Sequence, residues 1–200
     1  MNENLLNSPQ LIVAVDPGKS GAVCRMGQGK FNVWRDFKTL EDIARAIAEA
    51  SSEATHGVIE LVHAFPHQGV SSMFSFGRAA GVMDAALFLS LPKGVEVVEI
   101  APVVWQRWFR DLLSWPQDKE FDSREIASKT CPWSTPFLQR KLDHGTGDAI
   151  LLATWFLMQP ENFDTQSHRS KFSQPRHKQK RQSSRSRKTR DSSSPLTPLA

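Results

Sequence analysis

Hydrophobic and polar positions in the first thirty-four residues follow the pattern of paired strands. Leu11 to Val15 (LIVAV) is an apolar run that ends by presenting Asp16, and Pro17-Gly18 supplies the chemistry of a turn directly after it. Ala22 to Met26 and Phe31 to Trp34 then alternate around a Gly-rich turn, which predicts two further strands. The period changes at Leu40, Ile43, Ala44, Ile47 and Ala48, which recur at helical spacing to about Ala50. Thr39 is the predicted N-cap, with Glu41 and Asp42 in the first turn where the helix dipole favours acids. Gly57 to Val62 (GVIELV) predicts a buried strand carrying Glu60 at its centre. Residues 63–73 read as a loop from their Pro, Gly and Ser content, and Phe74 to Leu89 as a mainly apolar helix. A strand over Val95–Ile100 follows, then a helix opening at Pro102 with Val104, Trp105, Trp108, Phe109 and Leu112 on one face. Both tryptophans are expected in the core. Lys119–Lys129 predicts another helix stopped near Pro132, and Asp148–Met158 an apolar helix ended by Pro160. Strands and helices in this order predict an α/β domain, a mixed sheet with helices packed on it. No internal repeat is evident.

Charge divides the chain in two. Residues 164–200 carry ten Lys/Arg against two acids, whereas residues 1–163 carry fifteen against nineteen, so the formal net charge of +4 conceals an acidic body and a basic tail. The tail is rich in Ser, Gln, Arg, Lys and Pro with one aromatic, and cannot bury enough surface to offset its ordering entropy. It is expected to be a disordered polycation that adds salt-dependent affinity for nucleic acid phosphates. Residues 1–163 hold enough apolar side chains for one core. No run of eighteen apolar residues exists and the first ten residues lack a signal-peptide pattern, so the expectation is a cytoplasmic protein without a membrane partner. Cys24 and Cys131 are too few and too far apart for a disulfide framework or a zinc cluster, and are expected to be inert thiols.

Gly18-Lys19-Ser20 invites comparison with the end of a phosphate-binding P-loop, but position 13 is Val where that motif needs Gly, and a strand follows instead of a helix. The chemistry is expected on acids instead. Asp16, Glu60 and Asp148 all lie in apolar surroundings, where an isolated carboxylate must pair, protonate or bind metal. Acids from adjacent strands and a helix start can converge on a divalent cation, and oxygen-only ligands favour Mg²⁺ or Mn²⁺ over zinc. Two such ions would activate a water and stabilise the leaving oxygen in phosphodiester hydrolysis. Either Asp143 or His144 could add a fourth ligand or a proton-transfer group, Asp143 being preferred because a hard cation prefers oxygen.

Four blocks, VAVDPGKSGA, VIELVHAFPHQGVSSMFSFGRAAGVM, IAPVVWQRWF and LDHGTGDAILLA, resemble the RuvC-type Holliday junction resolvases, in particular their phage- and plasmid-borne branch. The resemblance covers roughly residues 10–158. It implies a ribonuclease H-like fold with helices on both faces of the sheet, a homodimer, and Mg²⁺-dependent nicking of four-way or branched DNA by two ions per site, with Mn²⁺ able to substitute. The implied metal ligands are Asp16, Glu60, Asp148 and Asp143, and the implied products carry 5′-phosphate and 3′-hydroxyl ends. One departure stands out: the family's best-studied members place the last two acidic or His ligands three residues apart, and position 145 here is Gly.

Other residues suit a DNA surface. Lys19, Ser20, His67, Gln68, Ser71, Ser72 and Arg78 offer contacts to phosphate, while Phe74 and Phe76 either wedge and stack at an opened junction or serve as core or dimer contacts. The rival readings are another ribonuclease H-like nuclease, cutting RNA–DNA hybrids or branched DNA, and a catalytically silent junction-binding protein. A small actin-like ATPase is disfavoured, because such folds need two similar domains and one fits here.

Overall fold

The computed structural model describes residues 3–18, 20–63 and 69–159, so Lys19, His67, Gln68 and the basic tail lie outside the described residues. The elements are α1 (Glu3–Leu6), β1 (Ile12–Asp16), β2 (Ala22–Gly27), β3 (Lys30–Trp34), α2 (Leu40–Ser51), β4 (His56–Glu60), α3 (Val70–Ser90), β5 (Val97–Ile100), α4 (Pro102–Leu112), α5 (Ser123–Thr130), a 3-10 stretch at Pro132–Phe137, and α6 (His144–Leu157). The strands form one sheet in the order β3-β2-β1-β4-β5. β1, β2 and β3 pair antiparallel, and β4 and β5 add in parallel on the other side of β1.

The period-two alternation of a strand divides the core. Ile12 and Ala14 of β1, with Val58, face Trp105 and Phe109 of α4, Ile126 of α5 and the apolar length of α6. Val13, Val15 and Ile59 face Ile43 and Ile47 of α2 and Ala79, Met83 and Leu87 of α3. Helices therefore cover both faces, as expected. β1 is apolar from Ile12 to Val15 because it is buried on both sides, the pattern of a central strand. Trp105 is fully buried and Trp108 packs on the core from its edge. Cys24 and Cys131 are free and fully buried; burial raises both thiols, Cys131 to about 11, which leaves them unreactive.

Thr39 caps α2 as predicted and does so reciprocally: its hydroxyl accepts from the Asp42 amide at 3.1 Å, and the Asp42 carboxylate accepts from the Thr39 amide at 2.9 Å. Four boundaries that bear on the site differ from the pattern-based reading. β4 stops at Glu60, which therefore ends its strand rather than occupying the centre. α3 begins at Val70, so Ser71 and Ser72 sit in its first turn rather than on a loop; Met73 N–H to Gly69 carbonyl at 2.9 Å closes that turn. α5 begins at Ser123 because Asp122 caps it, accepting from the amides of Arg124 and Glu125 at 3.0 and 3.3 Å. α6 begins at His144, one turn before Asp148, with Gly145 and Gly147 in its first turn. Among the described residues no helix is long and apolar enough to cross a membrane.

Candidate metal centre and nucleic-acid interface

Asp16 and Glu60 are the last residues of two neighbouring parallel strands. Ile12 pairs with His56 and the register runs on to Val15 with Ile59, so one further step sets Asp16 beside Glu60. Side chains at matched positions of adjacent strands share a face, here the face that α6 covers. The apolar residues of both strands drive this placement: burying them aligns the strands, and the acids emerge together where the sheet ends. Open α/β sheets tend to carry their functional groups at that carboxyl edge.

Asp148 arrives from the first turns of α6, whose N-terminal end is seated unusually close. A Cβ on Gly145 would lie 2.5 Å from Asp16 Oδ2 and closer still to the Ser20 carbonyl oxygen. One on Gly147 would lie 2.9 to 3.0 Å from the Ser123 and Arg124 backbone. The two glycines are thus what lets α6 reach the turn after β1 on one side and α5 on the other. They also explain why position 145 carries no acid: there is no room for one beside Asp16. Ser123, at the start of α5, donates to the His144 carbonyl at 3.2 Å and lies within hydrogen-bonding reach of Asp148.

The three carboxylates share one electrostatic environment. Burial raises Asp16 well above the usual carboxylate range, and Asp148 and then Glu60 raise it further. Burial, then Asp148, pushes Glu60 up to about 8. Burial likewise pushes Asp148 up to about 7, with Asp122 adding to the rise and the Ser123 hydroxyl opposing it. No cation among the described residues is a cause of shift at any of the three. Each is half-buried as a residue. As placed, no three His, Cys, Asp or Glu side chains among the described residues stand close enough to ligate one ion. The donor set nonetheless fits a hard divalent cation: it is all oxygen, mutually repelling and uncompensated, and a Cβ-free glycine keeps Asp16 within reach of α6.

Asp143 and His144 do not join this group. Asp143 is 1% exposed and taken up by arginines: Arg140 reaches its Oδ1 through Nε at 2.8 Å and Nη2 at 2.6 Å, its Oδ2 accepts from the Arg140 amide at 2.8 Å, and Arg35 Nη1 lies 2.9 Å from Oδ1. Burial raises Asp143, but the Arg140 hydrogen bonds and the Arg35 charge outweigh it, and the net shift is downward. Arg140 also bonds Asp36 at 2.9 Å, so the cluster ties the end of β3 to the start of α6. Asp143 is therefore a compensated structural anion rather than a spare ligand in this arrangement. His144 is exposed at the first position of α6.

The expected DNA contacts also separate. Ser20, Ser71, Ser72 and Arg78 are all exposed; of these Ser20 lies beside the start of α6 and Ser72 lines a cleft with Glu60. Phe74 and Phe76 lie two residues apart on α3, about 200° around the helix, and so cannot act as one wedge. Phe74 is 68% exposed, whereas Phe76 turns inward, its Cε2 3.1 Å from where a Gly18 Cβ would be. Sequence reasoning missed Ser123 and Gln106. Ser123 was detectable from the capping pattern Asp122-Ser123-Arg124-Glu125; Gln106, which lines a cleft shared with Glu60 and Phe76, had no local signal.

Three antiparallel strands continued by two parallel ones, with acids ending β1 and β4, decide the architecture. The fold is ribonuclease H-like. Solved structures of similar fold include Thermus thermophilus RuvC (15% identity, TM-score 0.47, 72% of this chain and 92% of that one) and T. thermophilus RuvC in complex with Holliday junction substrate (13%, 0.46, 73% and 91%). A third is the yeast mitochondrial Holliday junction resolvase Ydc2 (9%, 0.48, 76% and 79%). No protein-family model matches the chain, and no curated protein matches it by sequence.

Proposed function

We propose that the protein is a divalent-metal-dependent endonuclease that nicks four-way DNA junctions as a homodimer. The observation that carries this reading is the mutual repulsion of Asp16, Glu60 and Asp148, from two strand ends and a helix start, each raised by burial and uncompensated by any described cation. The motif resemblance of residues 10–158 supplies the substrate class. Asp16, Glu60 and Asp148 would hold Mg²⁺, or Mn²⁺ in its place, two ions per site. When bound, the cations supply a nucleophilic water and neutralise charge on the departing oxygen. Ser123 orients Asp148, and the Arg35–Asp143–Arg140 cluster holds the end of α6 that carries it. Ser20, Ser71 and Arg78, together with Lys19, His67 and Gln68, would meet phosphates, fixing the scissile bond over the carboxylates.

Dimerisation has its own support. Val70, Phe74, Gly77, Gly81, Ala85 and Phe88 fall at helical spacing along one side of α3, and all are exposed, Val70, Phe74 and Phe88 by 84%, 68% and 72%. A second copy covering this stripe would place two catalytic sites about a two-fold axis, matched to the approximate two-fold symmetry of a junction. The body of residues 1–163 is net acidic, so these loops and the basic tail must supply the attraction to DNA, and binding should weaken steeply with salt.

The test compares a four-way junction, a linear duplex of the same sequence and an RNA–DNA hybrid, each with Mg²⁺ and with Mn²⁺. Paired nicks in the junction alone are expected. Cutting confined to the hybrid would replace this reading by that of another ribonuclease H-like nuclease, and junction binding without cleavage in either metal by that of a silent binding protein.

A further inference from the structure

Beside Glu60, between the first turns of α3 and the start of α4, lies a cleft of about 490 Å³. Its size falls within the range of small-ligand pockets. Leu61 and Val62 give it an aliphatic floor, Phe76 an aromatic wall, and Ser72 and Gln106 two uncharged groups that each donate and accept. No Lys or Arg lines it among the described residues; His63 adds an imidazole and Glu60 a carboxylate at its edge, so the walls offer hydrogen-bonding groups with little fixed positive charge. A neutral, planar group with hydrogen-bonding edges is what these walls complement. The Phe76 ring packs on the turn after Asp16. Gln106 is held by its helix, next to the fully buried Trp105.

We propose that this cleft receives one unpaired nucleobase adjoining the scissile phosphate, stacked on Phe76 and read by Gln106 and Ser72. The proposal rests on the nuclease reading above and adds to it a residue-level origin for cleavage-site choice. A base at a branch point is partly unstacked already, so moving it into the cleft costs less than extracting it from a duplex. Stacking on Phe76 is tolerant of base identity, whereas the Gln106 amide is suited to a bidentate pair with adenine. Discrimination of about tenfold for adenine is expected at one position flanking the cut.

The experiment digests a pool of four-way junctions, randomised around the crossover, with the full-length wild type, Gln106→Ala and Phe76→Leu in Mg²⁺, and sequences the cut ends. Thermal melting of each variant reports folding. Adenine should be enriched at one flanking position with the wild type, lose its enrichment with Gln106→Ala, and keep a reduced enrichment with Phe76→Leu, which retains bulk but not the aromatic face. In parallel, 2-aminopurine at that position should change emission on binding full-length Asp16→Asn protein, without any cleavage step. Equal cutting of all sequences, or one preference shared by all three proteins, overturns the cleft while leaving the nuclease reading intact. Failure of the wild type to cut any junction overturns the nuclease reading and the cleft with it.

Discussion

Replacing Gly145 by Ala should separate the catalytic groups without touching any of them. The added Cβ would stand 2.5 Å from Asp16 Oδ2, and ordinary contact begins near 3.4 Å, so α6 or Asp16 must retreat by about 0.9 Å. The Ser20 carbonyl closes the other route, because it is backbone and lies closer still. Overpacking of this kind costs about 1 to 3 kcal/mol, against which the better helix propensity of Ala returns at most about 1 kcal/mol. A net loss of up to about 2 kcal/mol would lower the melting temperature by up to roughly 8 °C for a domain of this size. The effect on catalysis should be larger, since a displacement near 1 Å between catalytic groups can cost about a hundredfold in rate. Junction cleavage under single-turnover conditions, with melting of the same preparation, reads both. Wild-type cleavage together with an unchanged melting temperature would refute the seating of α6 on Asp16.

Further consequences concern pH, the anion outside the centre, and assembly. Because the folded-state pKa of Glu60 is raised to about 8 from an ordinary value of 4.5, the metal-free folded protein binds more protons than the unfolded chain between those values, and its stability falls as pH rises through that window. Glu60→Gln should therefore melt above the wild type at pH 8 in a chelator, and the two should converge near pH 4.5; saturating Mg²⁺ should raise the wild type far more than the variant. Asp143→Asn should cost about 2 to 3 kcal/mol in urea unfolding, less than a wholly buried pair because Arg140 stays half in water, while leaving Mn²⁺ affinity within a few-fold. An equal loss of Mn²⁺ affinity in Asp143→Asn and Asp148→Asn would make Asp143 a ligand after all. Phe88→Asp should shift sedimentation from dimer to monomer, and a variant that still sediments as a dimer would remove α3 from the interface.

Asp16 was legible because an unbroken apolar run ended on it, and such a run can only be a strand buried on both faces. Glu60 was legible as an acid in a buried strand but not as that strand's last residue, since the length of β4 depends on where β5 stops pairing. Convergence of acids from adjacent strands was expected, but the register that sets Asp16 beside Glu60 was not legible: it is fixed by how α2 and its connections pack, which no local pattern records. The apolar pattern starts the last helix at Asp148, whereas in the fold Gly145 and Gly147 lie in its first turn, because close approach of α6 to Asp16 and Ser123 outweighs their poor propensity. Asp143 was plausible as a ligand because it neighbours Asp148 in sequence. Its capture by Arg35 depends on the end of β3, more than a hundred residues away, and could not be seen from the motif.

The central claim is that Asp16, Glu60 and Asp148 together hold divalent cations. Mn²⁺ titration followed by electron paramagnetic resonance, on the full-length protein and on Asp16→Asn, Glu60→Gln and Asp148→Asn, tests it without any reliance on turnover. Saturable binding by the wild type, weakened at least tenfold by each substitution, is the predicted result. Undiminished binding by all three variants, or no saturable binding by the wild type with junction DNA present, would contradict it.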